Sequence, residues 1–212
     1  ASSVAHEVNN PLYAIKMQAE SLRKGLAEGS AQREKVDLIR SQVDRIARTV
    51  KALLGLARAP AQGVTAINLA EMTRGVLLLY EVGFVAKNIA VRLEFAEDLP
   101  MIHANGDRIQ QVLINLLENA RQAIGENGEI AIIARQGENG VELLVEDSGP
   151  GFAVEPETLF VSHFTTKAGG TGLGLAITRR IITEHGGRIT AENRADGGAR
   201  FRVVLPVGKE RP

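Results

Sequence analysis

The chain has 212 residues, with 25 Lys+Arg against 25 Asp+Glu, no Cys, no Trp and 44% hydrophobic residues. Balanced charge removes the electrostatic signature of a nucleic-acid or membrane-surface binder, and the missing Cys excludes disulfides, thiolate chemistry and thiolate metal sites. No apolar run approaches the roughly 20 residues of a membrane span, and the start lacks a basic-then-apolar signal pattern. The expectation is a soluble, cytoplasmic piece without membrane contact, whose parent protein could still be anchored.

Length leaves one or two domains open. From Val8 the apolar residues recur as Val8, Leu12, Ile15, Ala19, Leu22 and Leu26, in alternating steps of four and three, the seam of a helix packed along another helix. After a Gly29-Ser30 break a second seam runs Val36, Ile39, Val43, Ile46, Val50, Leu53, Ala57. Together they predict an antiparallel hairpin over residues 1–58. Two helices bury only a narrow stripe each, so a dimeric four-helix bundle, and hence a homodimer, is expected.

Ala59-Pro60-Ala61-Gln62-Gly63 stops the second helix, so 59–65 reads as a linker and 66–212 as a second domain. In it, Leu69 to about Val85 reads as a helix, and Ile89, Val91, Leu93 and Phe95 alternate with polar or small residues as in a half-buried strand. Asp107 to Ile124 is a predicted helix opened by an Asp107/Gln110 capping pair. Glu129–Ala134 and Val141–Glu146 form a hairpin; Thr171–His185 reads as a helix ended by Gly186-Gly187; Arg188–Asn193 and Arg200–Leu205 are strands. The sum is an α/β sandwich with a mixed sheet.

The first helix carries Ala5-His6-Glu7-Val8-Asn9-Asn10-Pro11-Leu12. With Leu12 and Ala19 on the seam, His6, Glu7 and Asn10 fall on its solvent side, which excludes a core histidine and leaves an ordinary exposed one as the plain reading. Pro11 beside it costs a helix about 3 kcal/mol, which suggests that local geometry is used. A largely neutral imidazole offers a nucleophilic nitrogen, Glu7 can orient the ring, and Asn10 can place a water in line with a phosphoryl group.

Asn115 and Asn119 project from one side of the long helix: a solvated face, or two amides of which one could ligate Mg²⁺. Asp147-Ser148-Gly149-Pro150-Gly151-Phe152 ends a strand; alone it is more often a turn than a site, but its carboxylate could accept from an adenine amino group. Gly169-Gly170-Thr171-Gly172-Leu173-Gly174-Leu175 opens a helix, where backbone amides and the helix dipole favour phosphate, although it is neither a Rossmann fingerprint nor a Walker A loop. Residues 153–168 between them read as a lid or a disordered loop. His103, His163 and His185 have no partner at metal-ligand spacing and read as surface or loop positions.

The stretch H-E-V-N-N-P-L resembles the phosphoacceptor box of two-component sensor histidine kinases, and N-x-x-x-N-A, D-x-G-x-G, F-T-T-K and G-x-G-x-G-L follow in the order and approximate separation of that family. The resemblance spans nearly the whole chain. It implies phosphoacceptor His6, activating Glu7 and phosphatase-assisting Asn10, and an ATP domain of the gyrase-like type. It further implies that Asn115 and Asn119 form the N box, with Asn119 the Mg²⁺ ligand; that Asp147 contacts adenine, with Gly149 and Gly151 shaping its pocket; that Phe164 to Lys167 form the F box; and that Gly170, Thr171, Gly172, Leu173 and Gly174 lie against the phosphates. Lys167 reads equally as a phosphate contact and a solvated cation. Only five residues precede His6, fewer than the family's first helix normally has, so a piece of a longer helix is expected.

In related ATP-hydrolysing enzymes the first N-box position is typically Glu, the base for water; here it is Asn115, whose amide cannot take a proton. The expected reaction is therefore attack of His6 on the γ-phosphate of Mg-ATP, followed by transfer to an Asp of a response-regulator receiver domain. The alternatives are an ATPase or conformational switch of the same fold, and a non-catalytic dimeric scaffold.

Overall fold

A computed structural model describes residues 2–57, 63–78, 80–166 and 170–207, with side chains placed for all of these except 2–10, 44–45, 47–57 and 82. The chain forms two compact units, Ala1–Ala59 with His163–Leu173, and Pro60–Ser162 with Gly174–Pro212.

The first unit contains helices α1 (Ser2–Lys24) and α2 (Ala31–Ala57), packed along one another. Ser30 opens α2, its Oγ accepting from Arg33 N at 3.3 Å, so the Gly29-Ser30 break becomes a capped turn. The apolar seam divides in two. Leu12, Ala19, Val36 and Val43, each pair seven residues apart, are buried in the hairpin, whereas Ile15, Leu22, Ile39 and Ile46 are 47–63% exposed. Asp37 ties the helices laterally, reached by Arg23 at 2.8 Å and Arg40 at 3.2 Å. Desolvation pushes its carboxyl up, but the two guanidinium groups outweigh that and hold it below the usual carboxylate value.

The second unit runs β1 (Thr65–Ile67), α3 (Leu69–Leu78), α4 (Glu81–Val85), β2 (Ile89–Phe95), β3 (Ile102–Ala104), α5 (Gly106–Ile124), β4 (Gly128–Gly137), β5 (Gly140–Asp147), a 3₁₀ turn (Pro156–Phe160), α6 (Gly174–Glu184), β6 (Arg188–Asn193) and β7 (Ala199–Leu205). β1 and β3 form a small antiparallel ribbon, and the other five strands form a mixed sheet ordered β2-β4-β5-β7-β6, in which only β2 and β4 are parallel.

Register sorts the sheet into two faces. Ile132 pairs Val145, which pairs Phe201, while Ala134 pairs Leu143, which pairs Val203. These residues are buried, and α5 (Leu113, Leu116, Leu117) and α6 (Ile177, Ile181, Ile182) supply the apolar stripes that cover them. The other face is paved by ion pairs: Glu142 binds Arg135 (2.6 Å) and Arg202, and Glu146 binds Arg200 (2.6 Å), which also holds Glu192 (2.8 Å). Leu144, in the same row as Glu142 and Glu146, is 5% exposed. Burial pushes the Glu142 carboxyl up, yet Arg135 and Arg202 more than reverse this and hold it below its ordinary value.

Several boundaries differ from the sequence expectation. The helix expected from Leu69 to Val85 is split into α3 and α4, because Tyr80 N bonds Leu77 O, three residues back rather than four, at 2.9 Å. The long helix opens at Asn105 rather than at an Asp107/Gln110 pair: the Asn105 side chain accepts from Arg108 N at 3.1 Å. α6 begins at Gly174 rather than Thr171, since Gly172 has φ +65°, outside the helical region. The segment expected as an unstructured lid includes the 3₁₀ turn, anchored by buried Phe160 and by Arg179, which sits over its ring and pairs with Glu157 at 2.8 Å.

Candidate nucleotide site

Asp147 is the last residue of β5, and the two-residue period puts it in the same row as Leu143 and Val145, on the helix-covered face. It is 2% exposed. Its Oδ1 accepts from Gly149 N at 2.9 Å and Ala199 N at 3.4 Å, bonds that fix the orientation of the carboxylate. Gly149 is required by crowding within the chain: a Cβ there would lie 2.9 Å from Asp147 Oδ1 and 3.0 Å from the Ala123 backbone of α5. Gly151 is required twice, by φ +73° and because a Cβ would lie 2.5 Å from Asn193 Oδ1. The D-x-G-x-G glycines thus seat the loop against α5 and β6 rather than merely leaving room for a ligand.

Two residues that sequence reasoning passed over hold this loop. Asn193 accepts from Phe152 N at 2.9 Å and donates to Phe152 O at 2.7 Å, imitating a strand partner. Gly198, at φ +89°, brings its backbone so near that a Cβ would overlap Asp147 O at 1.8 Å. Gly198 could have been suspected from the Asp196-Gly197-Gly198 turn; Asn193 carried no signal in the sequence, because its partner is 41 residues away.

Asn115 and Asn119 lie half-buried on α5. Asn115 is not on a solvated face: its Nδ2 donates to Gly174 O at 3.1 Å and Thr178 Oγ1 at 3.2 Å, locking α5 to the first turn of α6. Its donor hydrogens are thereby used, so only its Oδ1 could serve a cation. Glu118, the one carboxylate between them, is gripped by Arg121 at 2.7 and 2.9 Å and by Gln122 at 2.5 Å. A carboxylate so engaged is a poor base for water. The donor set, a fixed carboxylate at a strand end and hard amide oxygens one turn apart on a helix, fits a purine amino group and a largely hydrated Mg²⁺. Among the described residues no cluster of three or more His, Cys, Asp or Glu could hold a metal ion.

The glycine segment forms a closed loop of its own. His163 N donates to Gly172 O at 2.9 Å, and a Cβ on Gly172 would lie 2.4 Å from the His163 backbone, so the neck admits only glycine. Phe164, Gly170 and Thr171 lie along this loop, half-buried, and Leu173 is buried. Lys167 lies outside the described residues. His6, Glu7 and Asn10 are on helical backbone in α1, which continues through Pro11, and their side chains are likewise outside what is described.

His185, half-buried in the turn that follows α6, is hydrogen-bonded at both ring nitrogens, to Ile181 O through Nδ1 (2.7 Å) and Asn105 N through Nε2 (3.0 Å). His163 is exposed at φ +67°, and His103 is half-buried on β3.

Fold and site together define an ATPase-type α/β unit that follows a helical hairpin in one chain. Residues 104–209 match the family described as histidine kinase-, DNA gyrase B-, and HSP90-like ATPase, and residues 1–62 match the His Kinase A (phospho-acceptor) domain. The chain is 38% identical to the sensor histidine kinase ZraS of Escherichia coli O157:H7, over 98% of its own length and 45% of that protein's. It is 36% identical to the C4-dicarboxylate transport sensor protein DctB of Rhizobium meliloti, over 97% of its length and 34% of the relative's. Among solved structures, the catalytic domain of histidine kinase ThkA aligns at TM-score 0.64 and 44% identity, covering 69% of this chain and 97% of that one. ThkA in complex with response regulator TrrA aligns at 0.73 and 34% identity, covering all of this chain and 62% of that one. The chain belongs to the sensor histidine kinases of two-component systems. It spans about half the length, or less, of the curated relatives it matches.

Proposed function

We propose that the chain is the catalytic core of a sensor histidine kinase, in which His6 takes the γ-phosphoryl group of ATP and passes it to an aspartate of a receiver domain. Residues 1–58 then act as the dimerisation and phosphotransfer hairpin, 59–65 as linker and 66–212 as the ATP domain. In that domain Asp147 accepts from the adenine amino group. Asn119, with Asn115 Oδ1 beside it, faces the cation, and Gly170, Thr171, Gly172, Leu173 and Gly174 present backbone to the phosphates, with Phe164 and Lys167 in the segment that closes over them. Mg²⁺, when bound, neutralises charge on the β- and γ-phosphates. The chain's part in the reaction is positioning: the neutral ring of His6 attacks phosphorus as the bond to the bridging oxygen breaks and ADP leaves, and Glu7 holds the ring's other N–H. Asn10 would orient water in the reverse sense, when the chain acts as phosphatase of its regulator.

The observation that carries this reading over a plain ATPase is the engagement of the N-box neighbours: Asn115 stands where a hydrolase would carry Glu, with its amide committed to α6, and Glu118 is held by Arg121 and Gln122. A homodimer is supported by the half of the hairpin seam left exposed at Ile15, Leu22, Ile39 and Ile46. The receiver-domain partner is supported by the ThkA complex with its response regulator, and nucleotide use by ShkA, another relative of known structure, in complex with AMPPNP. A cytoplasmic place for this piece fits the finding that no described helix is long and apolar enough to cross a membrane.

Incubation with γ-labelled ATP and Mg²⁺ tests the proposal. The wild type should acquire an acid-labile, alkali-stable label that is lost in His6→Gln and strongly reduced in Asn119→Ala. Steady release of phosphate without protein labelling would instead favour the ATPase reading.

A further inference from the structure

His185 is used at both ring nitrogens, and its two partners belong to different helices. Ile181 O can only accept, so the hydrogen of the ring sits on Nδ1 (2.7 Å), which leaves Nε2 as an acceptor for the backbone N–H of Asn105 at 3.0 Å. These are the two ends that matter for the α5/α6 pair. Asn105 is the N-cap of α5. His185 is the last residue before the left-handed turn that closes α6: Gly186 N bonds Thr183 O and Gly187 N bonds Ile182 O, both at 2.9 Å, with Gly186 at φ +70°. The turn packs closely on β7, since a Cβ on Gly187 would lie 2.3 Å from Val204 O, so only glycine fits there. The ring is presented from this tightly packed corner.

At the other end of the same pair, Asn115 of α5 bonds Gly174 O and Thr178 Oγ1 of α6. Ten residues of α5, about 15 Å of helix, separate the two clamps. Between them α5 and α6 are in contact and the buried aliphatic residues are Ile109, Val112 and Leu113 on α5 and Ile177, Ile181 and Ile182 on α6; apolar surfaces resist separation better than they resist a small slide. We infer that His185 is a positioning residue of the nucleotide site: with Asn115 it fixes the lengthwise register of α5 against α6, and thereby the place of Asn119, one turn beyond Asn115, relative to Gly174 and the first turn of α6. This rests on the reading of α5 and α6 as walls of the nucleotide site.

The conservative variants separate this role from simple capping of α6. An Asn at 185 can reproduce the Nδ1 bond to Ile181 O but is too short to reach Asn105. A Gln can offer its Oε1 where Nε2 stood. Affinity for a non-hydrolysable ATP analogue with Mg²⁺, by calorimetry, and KM and kcat for labelling are measured in wild type, His185→Gln, His185→Asn and His185→Leu. The expected result is affinity within about threefold of wild type for Gln, weakened about tenfold for Asn and Leu, with KM following affinity and kcat within about twofold throughout. Should the Leu variant fail to fold, the Asn and Gln pair decides. Equal affinities in Asn and Gln, or a fall in kcat with KM unchanged, would overturn the assignment. A wild type that binds no nucleotide would refute the function proposed above, and this inference with it.

Discussion

The hairpin and the sheet unit bury their apolar residues in opposite ways. The sheet unit closes on itself: Leu113, Leu116, Leu117, Ile130, Ile132, Ile181, Ile182 and Val203 are all essentially inaccessible. Among the described seam residues, the hairpin buries Leu12, Ala19, Val36 and Val43 within one chain and leaves Ile15, Leu22, Ile39 and Ile46 exposed. A region with a finished core can hold a ligand by itself, whereas the exposed seam of the hairpin is what the proposed dimer would cover. The contrast fits the proposal of nucleotide binding in one and assembly with phosphoacceptance in the other.

Mutations can break or sharpen that contrast. Leu116→Ala, in the finished core, should lower the stability of the sheet unit by about 4 kcal/mol and with it nucleotide binding, read by calorimetry or denaturant titration. Gly198→Ala should cost about 3 kcal/mol and weaken nucleotide affinity by displacing Asp147, because φ +89° and the overlap with the Asp147 carbonyl leave no room for a methyl group. Ile46→Ala should leave the melting of the sheet unit unchanged and weaken dimerisation by roughly tenfold in sedimentation, about 1.4 kcal/mol. If it instead lowers the sheet unit's stability, the separation drawn above is wrong.

The smallest expected effect concerns pH. The folded Glu142 carboxyl is held below its unfolded value, so its contribution is present above the ordinary carboxylate range and is lost as pH falls through the folded value. Arg135 and Arg202 are 59% and 57% exposed, so water and salt screen the pair and the contribution is modest. Glu142→Gln should flatten the acid limb of the stability curve below about pH 4.5, whereas Asp37→Asn in the solvated hairpin network should leave it nearly unchanged.

What could be read in the sequence was whatever repeats or stands adjacent. The helical seams, the alternation of β4 and β5 and the motif order were legible because each is a local pattern. The Asn105 cap was passed over because Asp107 offers a competing capping signal two residues later. The ribbon of β1 and β3 was not legible either, since three residues per strand carry no detectable period. His185, Asn193 and the structural use of Asn115 were invisible for another reason: their partners lie 80, 41 and 59 residues away, so only the fold brings them together. The same distance hid a second constraint on the glycines: Gly149, Gly151 and Gly172 also answer to crowding within the chain.

The central claim is that the chain divides phosphoryl transfer between a nucleophile on α1 and a nucleotide held by the sheet unit. Mass-spectrometric localisation of phosphate under alkaline conditions, after incubation with Mg²⁺ and ATP, tests it most directly. The account predicts a single phosphorylated residue, His6, on a ring nitrogen. Phosphate found on another residue, or ATP turned over with no phosphorylated residue at all, would contradict it.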